Sequence, residues 1–325
     1  MSMTSWLGMR LLLAVCSGMA CTSLLVASDG GAKPPSGAEA QRLALLEAGR
    51  AREFPALDWA KRTKSVTIHY RIETNVPADT SHYIQVLLEA MYSCYSAKLG
   101  VSPPAGITVY VYATSADFAA DVKESLHHVL RPGEGGMYVS EKHAMYIPWV
   151  AQRSGLQPSA ILMHEGFHQF YDAALRTTEP KWFNEGMATY FENADFDGVS
   201  LKAGFISPSK LKGMQMLYKT NKNEPLLELM KKPADQFIGN QYCEAWSLIY
   251  WMMWGESDEK RRTAQQKKLT AYFASLKDLK NHTPEALERE MGIKLTTVET
   301  SLVPFVQALD PNDRFGGLKY IQAQP

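Results

Sequence analysis

Cysteine is scarce in this chain, and net charge is absent. Among 325 residues there are 4 cysteines, and 34 basic residues balance 34 acidic ones. That balance leaves no basic surplus of the kind a nucleic-acid partner attracts, so no such partner is expected. Two of the cysteines, Cys16 and Cys21, lie in an apolar N-terminal stretch. The remaining two, Cys94 and Cys243, are too few for a disulfide-stapled scaffold and show no structural-zinc spacing. An oxidising compartment would allow them to bond to each other; two buried thiols are the equal alternative.

Long hydrophobic runs are lacking too. Arg10 precedes Leu11, Leu12, Leu13, Ala14 and Val15, small residues follow from Ser17 to Ala20, and a second short apolar stretch runs from Leu24 to Ala27. A positive charge, a short apolar run and small residues are the order of an export signal, and the run is too short for a membrane span. Residues 1–28 are therefore read as a signal peptide, with an uncleaved N-terminal anchor as the alternative. Lipidation at Cys21 has little support, because Gly18 stands where a bacterial lipobox carries leucine. The protein is expected to be exported, periplasmic or secreted, with no membrane span once the signal is removed.

What is present suffices for a sizeable core: hydrophobic residues make up 46% of the chain and charged residues 21%. Residues 29–40 are small, polar and rich in Pro and Gly, the composition of a linker, and a short helix could follow over 41–53. Val66, Ile68 and Tyr70 alternate with Thr67, His69 and Arg71, which predicts a half-buried strand where folded structure begins, near Ser65. Ile84, Leu87, Leu88, Met91, Tyr92 and Tyr95 recur at helical spacing within 79–99. A β-rich run at 107–112, a helix from Ser115 through Val129 and a hairpin of 137–139 with 144–147 complete a small mixed unit over 65–150. From 151 to 310 the pattern is mainly helical, with segments at 158–174, 180–193, 208–218, 225–232, 241–254, 260–277, 283–290 and 296–308. Residues 311–325 form a tail. The expected fold class is α+β, a small mixed N-terminal domain followed by a mainly helical one.

The chemistry concentrates in His164-Glu165-Gly166-Phe167-His168. On a helix, positions i and i+4 share one face, so His164 and His168 can present two imidazoles to a single Zn2+ ion, one per chain. Glu165 is one residue on, within reach of a water at such a centre but not placed as a ligand; a carboxylate there can act as general base. Catalytic zinc takes three protein ligands and keeps one position open. Glu185, in Trp182-Phe183-Asn184-Glu185-Gly186-Met187-Ala188-Thr189-Tyr190, offers the third, since seventeen residues after His168 leave room for a loop and a returning helix. Small Gly186 and Ala188 permit close helix approach.

These segments resemble the gluzincin metallopeptidases, whose H-E-x-x-H helix is followed by a helix carrying N-E-G-x-A with a glutamate ligand. His164, Glu165, His168 and Asn184 to Ala188 match that pattern residue by residue. The resemblance implies a zincin-like catalytic domain, His164, His168 and Glu185 as ligands, and Glu165 as base. The spacing is a few residues shorter than in the group's aminopeptidases, and no Gly-x-Met-Glu-Asn segment precedes it, which argues against aminopeptidase activity. A closer likeness, over roughly 65–255, is to the uncharacterised peptidase-MA-like family of bacterial exported proteins. It rests on Gly136-Met137-Tyr138, His168-Gln169, Thr189-Tyr190-Phe191-Glu192 and the helix from Tyr242 to Trp246.

Around this motif, Tyr242 is the first candidate for stabilising an oxyanion and Tyr138 the second. Asp172 or Glu192 could accept the other N–H of a ligand imidazole. Trp246, Tyr250 and Trp254 share a helix face that packs against the catalytic helices or walls a substrate site. His127, His128 and His143 have no ligand-spaced partner, and Lys260, Arg261, Arg262, Lys267 and Lys268 read as a solvated face. The function expected is zinc-dependent hydrolysis of a peptide or protein substrate. The alternatives are an inactive metal- or peptide-binding module and a hydrolase of a non-peptide amide.

Overall fold

The computed structural model of the chain describes residues 36–54, 58–152 and 155–314. The expected signal peptide lies outside the described residues, as does the tail beyond residue 314. Among the described residues, the first half contains α1 (Gly37–Ala48), β1 (Thr63–Val66), β2 (Tyr70–Thr74), α2 (Ala78–Leu99), β3 (Ile107–Tyr112), α3 (Ser115–Leu126), β4 (Met137–Val139) and β5 (Ala144–Pro148). The second contains α4 (Pro158–Leu175), α5 (Lys181–Glu192), the short pair β6 (Asp195–Phe196) and β7 (Leu201–Lys202), α6 (Pro208–Lys219), α7 (Leu226–Lys231), α8 (Asn240–Trp254), α9 (Glu259–Ser275), α10 (Pro284–Met291) and α11 (Leu295–Ala308). The fold is α+β, as expected, and none of these helices is long and apolar enough to cross a membrane.

Five strands form one sheet in the order β1-β2-β3-β5-β4. β2, β3 and β5 run parallel, and β1 and β4 lie antiparallel at the two edges. Alternation along the strands sends side chains to two faces. Val109, Val111, Met145 and Ile147 join the large core with α2, α4, α5 and α8, whereas Tyr112, Ala144 and Tyr146 pack with Phe118, Val122 and Leu126 of α3. The large core thus takes in residues from both halves of the chain.

Two expectations about the first half change. The linker ends sooner than residue 40: the Ser36 hydroxyl accepts the Glu39 N–H at 3.3 Å, and α1 starts at Gly37 and docks on α2, where the Thr80 hydroxyl donates to the Ala48 carbonyl. The strand predicted through Val66, Ile68 and Tyr70 is broken: Val66 ends β1, Tyr70 begins β2, and residues 67–69 turn between them. The Thr67 N–H donates to the Tyr70 carbonyl, and the Glu89 carboxylate, reaching over from α2, accepts from the Thr67 hydroxyl and the His69 N–H. Val66 and Ile68 are consequently left 76% and 79% exposed, while Tyr70 is buried. The hairpin β6–β7 carries no sequence pattern long enough to predict.

The second-half helices fall close to the predicted segments. Two glycines set how closely they approach. A Cβ on Gly166 would stand 2.2 Å from the Met91 methyl of α2, and one on Gly186 would stand 2.8 Å from the Ala245 backbone carbonyl of α8. The first neighbour is a flexible side-chain tip and the second is backbone, so the α5–α8 seam is the stricter one. The Trp246–Tyr250 face of α8 is buried against this seam, and the Trp254 indole donates to the Tyr190 hydroxyl of α5.

Candidate metal centre

α4 begins with Pro158 at its first turn, where a missing N–H costs nothing, and its helical rise places His164 and His168 one turn apart. α5 returns against it and brings Glu185 between the two imidazoles. Glu185 Oε2 lies 3.3 Å from His164 Nε2 and 3.4 Å from His168 Nε2. All three atoms are buried, and none has a hydrogen-bond partner. Three orphaned polar atoms facing one another inside a protein are costly unless something satisfies them together. The buried group His164, His168 and Glu185 could hold a metal ion.

The opposite edges of both rings are anchored. His168 Nδ1 is 2.9 Å from Asn184 Oδ1, and the Asn184 amide donates to the Thr178 carbonyl. That second bond orients the amide, so its oxygen must accept and His168 Nδ1 must carry the proton. His164 Nδ1 is 3.1 Å from Glu192 Oε2, an acceptor only, while Glu192 Oε1 accepts from Lys210 Nζ of α6 at 2.6 Å. Both Nδ1 atoms are thereby fixed as donors, which is how a histidine is prepared to offer Nε2 to a metal. Of the two carboxylates expected to do this, Glu192 does and Asp172 does not. Asp172 accepts instead from the Tyr138 hydroxyl at 2.5 Å and faces His143 Nδ1 at 3.5 Å.

Charge is distributed around the group in a definite way. Burial opposes ionisation of Glu185, but the Lys181 ammonium and the two imidazoles outweigh it and hold this carboxyl well below the usual range. Burial likewise opposes ionisation of Glu192, yet Lys210 and His164 bring it down to about 2. For His164, burial favours the neutral ring, and the facing Glu185 and Glu192 carboxylates reverse that and raise it to about 10. A raised histidine stabilises the metal-free fold fully below its ordinary value of 6.5, and that contribution fades as pH climbs through about 10. A metal needs the neutral ring, so the proton must leave. Loading the metal-free protein at pH 8 is expected to release a proton from His164, with apparent affinity rising about tenfold per pH unit toward pH 10. Calorimetric titrations in buffers of different ionisation enthalpy count that proton; none released at pH 8 would mean that His164 is already neutral.

Glu165 sits beside the group and is buried. Its Oε2 accepts the Tyr138 N–H of edge strand β4 at 2.8 Å, and burial pushes its carboxyl above the usual range. The structure therefore brings His164, Glu165, His168 and Glu185 together. Tyr242, at the start of α8 with its ring edge against Phe237, lines a cavity of about 1090 Å³. Thr178, Pro180 and Lys181 line the same cavity, whereas His164, Glu165, His168 and Glu185 do not. The hydroxyl of Tyr138 is committed to Asp172. Cys94 and Cys243 are free thiols.

The sequence reading did not single out Lys181, Asn184 as an imidazole partner, or Lys210. Lys181 stands four residues before Glu185 and Asn184 directly before it, so helical spacing could have suggested the first. Nothing local connects Lys210 to Glu192, since α6 reaches them only by folding back.

A buried His–His–Glu group on two antiparallel helices defines the class of site in this α+β fold. Residues 159–270 match a protein-family model described as "Protein of unknown function (DUF1570)". The match begins in α4 and ends in α9, and it includes every residue of that group. No curated protein matches the chain.

Proposed function

We propose that the protein is a zinc-dependent hydrolase acting on peptide bonds. The observation that carries this reading is the set of three buried, unpartnered ligand atoms spaced 3.3 and 3.4 Å apart, with a buried carboxylate next to them. A tetrahedral centre with bonds of about 2.0–2.1 Å has edges of about 3.3–3.4 Å, and the two separations from Glu185 Oε2 to the imidazole nitrogens fall there, while all three atoms lie within 4.8 Å of one another. Two imidazoles and one carboxylate leave the fourth position open, the arrangement of a catalytic rather than a structural zinc.

Zinc, when bound, supplies Lewis-acid polarisation of a carbonyl and makes water a nucleophile near neutral pH. The chain's own residues do the rest. Glu165, its carboxyl raised by burial and held by the Tyr138 N–H, takes a proton from the attacking water and returns it to the leaving amine. Asn184 and Glu192 hold the two rings in the tautomer the centre needs. The gluzincin-like pair of motifs supports the same reaction, and an exported location is in keeping with the N-terminal signal pattern.

A second reading, a metal-binding module without turnover, is favoured by the depth of the group, whose three side chains are 3% exposed or less. The two separate in one experiment. Purified wild-type protein should contain about one zinc per chain by mass spectrometry and should cleave members of a peptide library, with cleavage lost to a chelator and restored by zinc. Zinc without any cleavage would favour the module; no tightly held metal, even after reconstitution, would remove both.

A further inference from the structure

Lys181 breaks two local rules at once. It is the first residue of α5, where a cation meets the positive end of the helix dipole, and it is only 4% exposed, where an ammonium is strongly disfavoured. Its compensation is a single contact among the described residues: Nζ donates to Glu185 Oε1 at 2.5 Å, one helical turn along. Local rules broken together with one precise compensation mark a functional position more often than a structural one.

The two oxygens of Glu185 are consequently unequal. Oε1 is taken by the ammonium, while Oε2 has no hydrogen-bond partner and faces both Nε2 atoms. A carboxylate that chelated through both oxygens would have to draw Oε1 to the metal as well. That would leave a buried ammonium without its partner and bring it toward a divalent cation in a medium of low dielectric. We propose that Lys181 is a positioning residue that confines Glu185 to one-oxygen ligation and so preserves the open coordination site. This rests on the metal-dependent reading above. The expectation is specific to this chain, because it follows from the Lys181–Glu185 pair and not from the H-E-x-x-H motif.

The consequence can be read without any substrate. Co2+ replaces zinc and reports coordination number in its visible bands, which are intense for four donors and weaker for five. Lys181→Met keeps the bulk and removes the charge. With Co2+ at one equivalent, Lys181→Met is expected to hold the metal as well as wild type does, with a loss of band intensity as the freed Oε1 joins the centre. Lys181→Arg, which retains a donor to Oε1, is expected to keep the wild-type band. An unchanged band in folded Lys181→Met, or loss of the metal from it, would overturn the proposal. Should that variant not fold, X-ray absorption on wild-type protein loaded with zinc decides: a carboxylate bound through one oxygen supports the proposal, and one bound through both refutes it. A wild-type chain that binds neither Co2+ nor zinc would instead defeat the metal reading itself, a distinct outcome.

Discussion

Glu165→Gln is expected to retain about one zinc per chain and to lose catalysis by about 10²–10⁴-fold in kcat. The reasoning is local. Glutamine keeps a carbonyl oxygen that can accept the Tyr138 N–H, so the contact between α4 and β4 survives. It keeps the volume of a fully buried side chain, so packing is unaltered. What it lacks is a basic oxygen for the proton of the attacking water. Because Glu165 makes none of the contacts that define the metal group, metal content and thermal stability should follow wild type while turnover collapses. Rates on whichever library peptides wild type cleaves, measured beside metal content, decide the matter. Near-wild-type turnover in Glu165→Gln would assign the base elsewhere.

Glu185→Ala should have the largest structural effect of any single change at the site. It removes one of the three proposed metal ligands, and it also strips Lys181 of its partner inside the protein. Taking away one member of a buried ion pair costs about 3–5 kcal/mol, because the remaining charge stays desolvated and uncompensated. The two effects can be told apart by working in chelator, where metal contributes nothing. There, Glu185→Ala is expected to unfold at much lower denaturant than wild type, and Glu185→Ala combined with Lys181→Met should recover most of the loss while still binding no metal. A chelated Glu185→Ala protein as stable as chelated wild type would show that Lys181 finds water or another anion with ease.

How much of this was legible beforehand differs between the two halves of the molecule. The helices α4, α5 and α8 are long, and their apolar residues return with helical period, so their positions follow from the chain alone. His164 and His168 lie within one turn, and their shared face is a property of any helix. Glu185 needed one assumption more, that α5 folds back on α4, for which small Gly186 was a weak sign. Its true neighbour proved to be α8, against whose backbone that glycine sits. Tyr242 opens the aromatic-rich α8, and the fold sets it in the wall of the cavity that Lys181 also lines, a meeting that spacing along the chain does not report.

Short elements fared worse because their neighbours choose their conformation. Val66, Ile68 and Tyr70 have perfect strand alternation, yet Glu89 from α2 accepts hydrogen bonds across residues 67–69 and bends them into a turn. Asp172 shares the His168 face of α4, yet it turns to the Tyr138 hydroxyl because β4 passes there.

The amino-acid order sufficed for the class of fold and for the two helices that carry His164, His168 and Glu185, since each depends on periodicities of a few residues that the backbone enforces. The protonation of the imidazoles, the unequal oxygens of Glu185 and the anchoring of Glu165 depend on Lys181, Lys210, Asn184 and Tyr138 arriving from α5, α6 and β4. Such meetings are settled by how whole elements pack, a balance of burial and hydrogen bonding summed over the molecule, and no local stretch of chain encodes that sum.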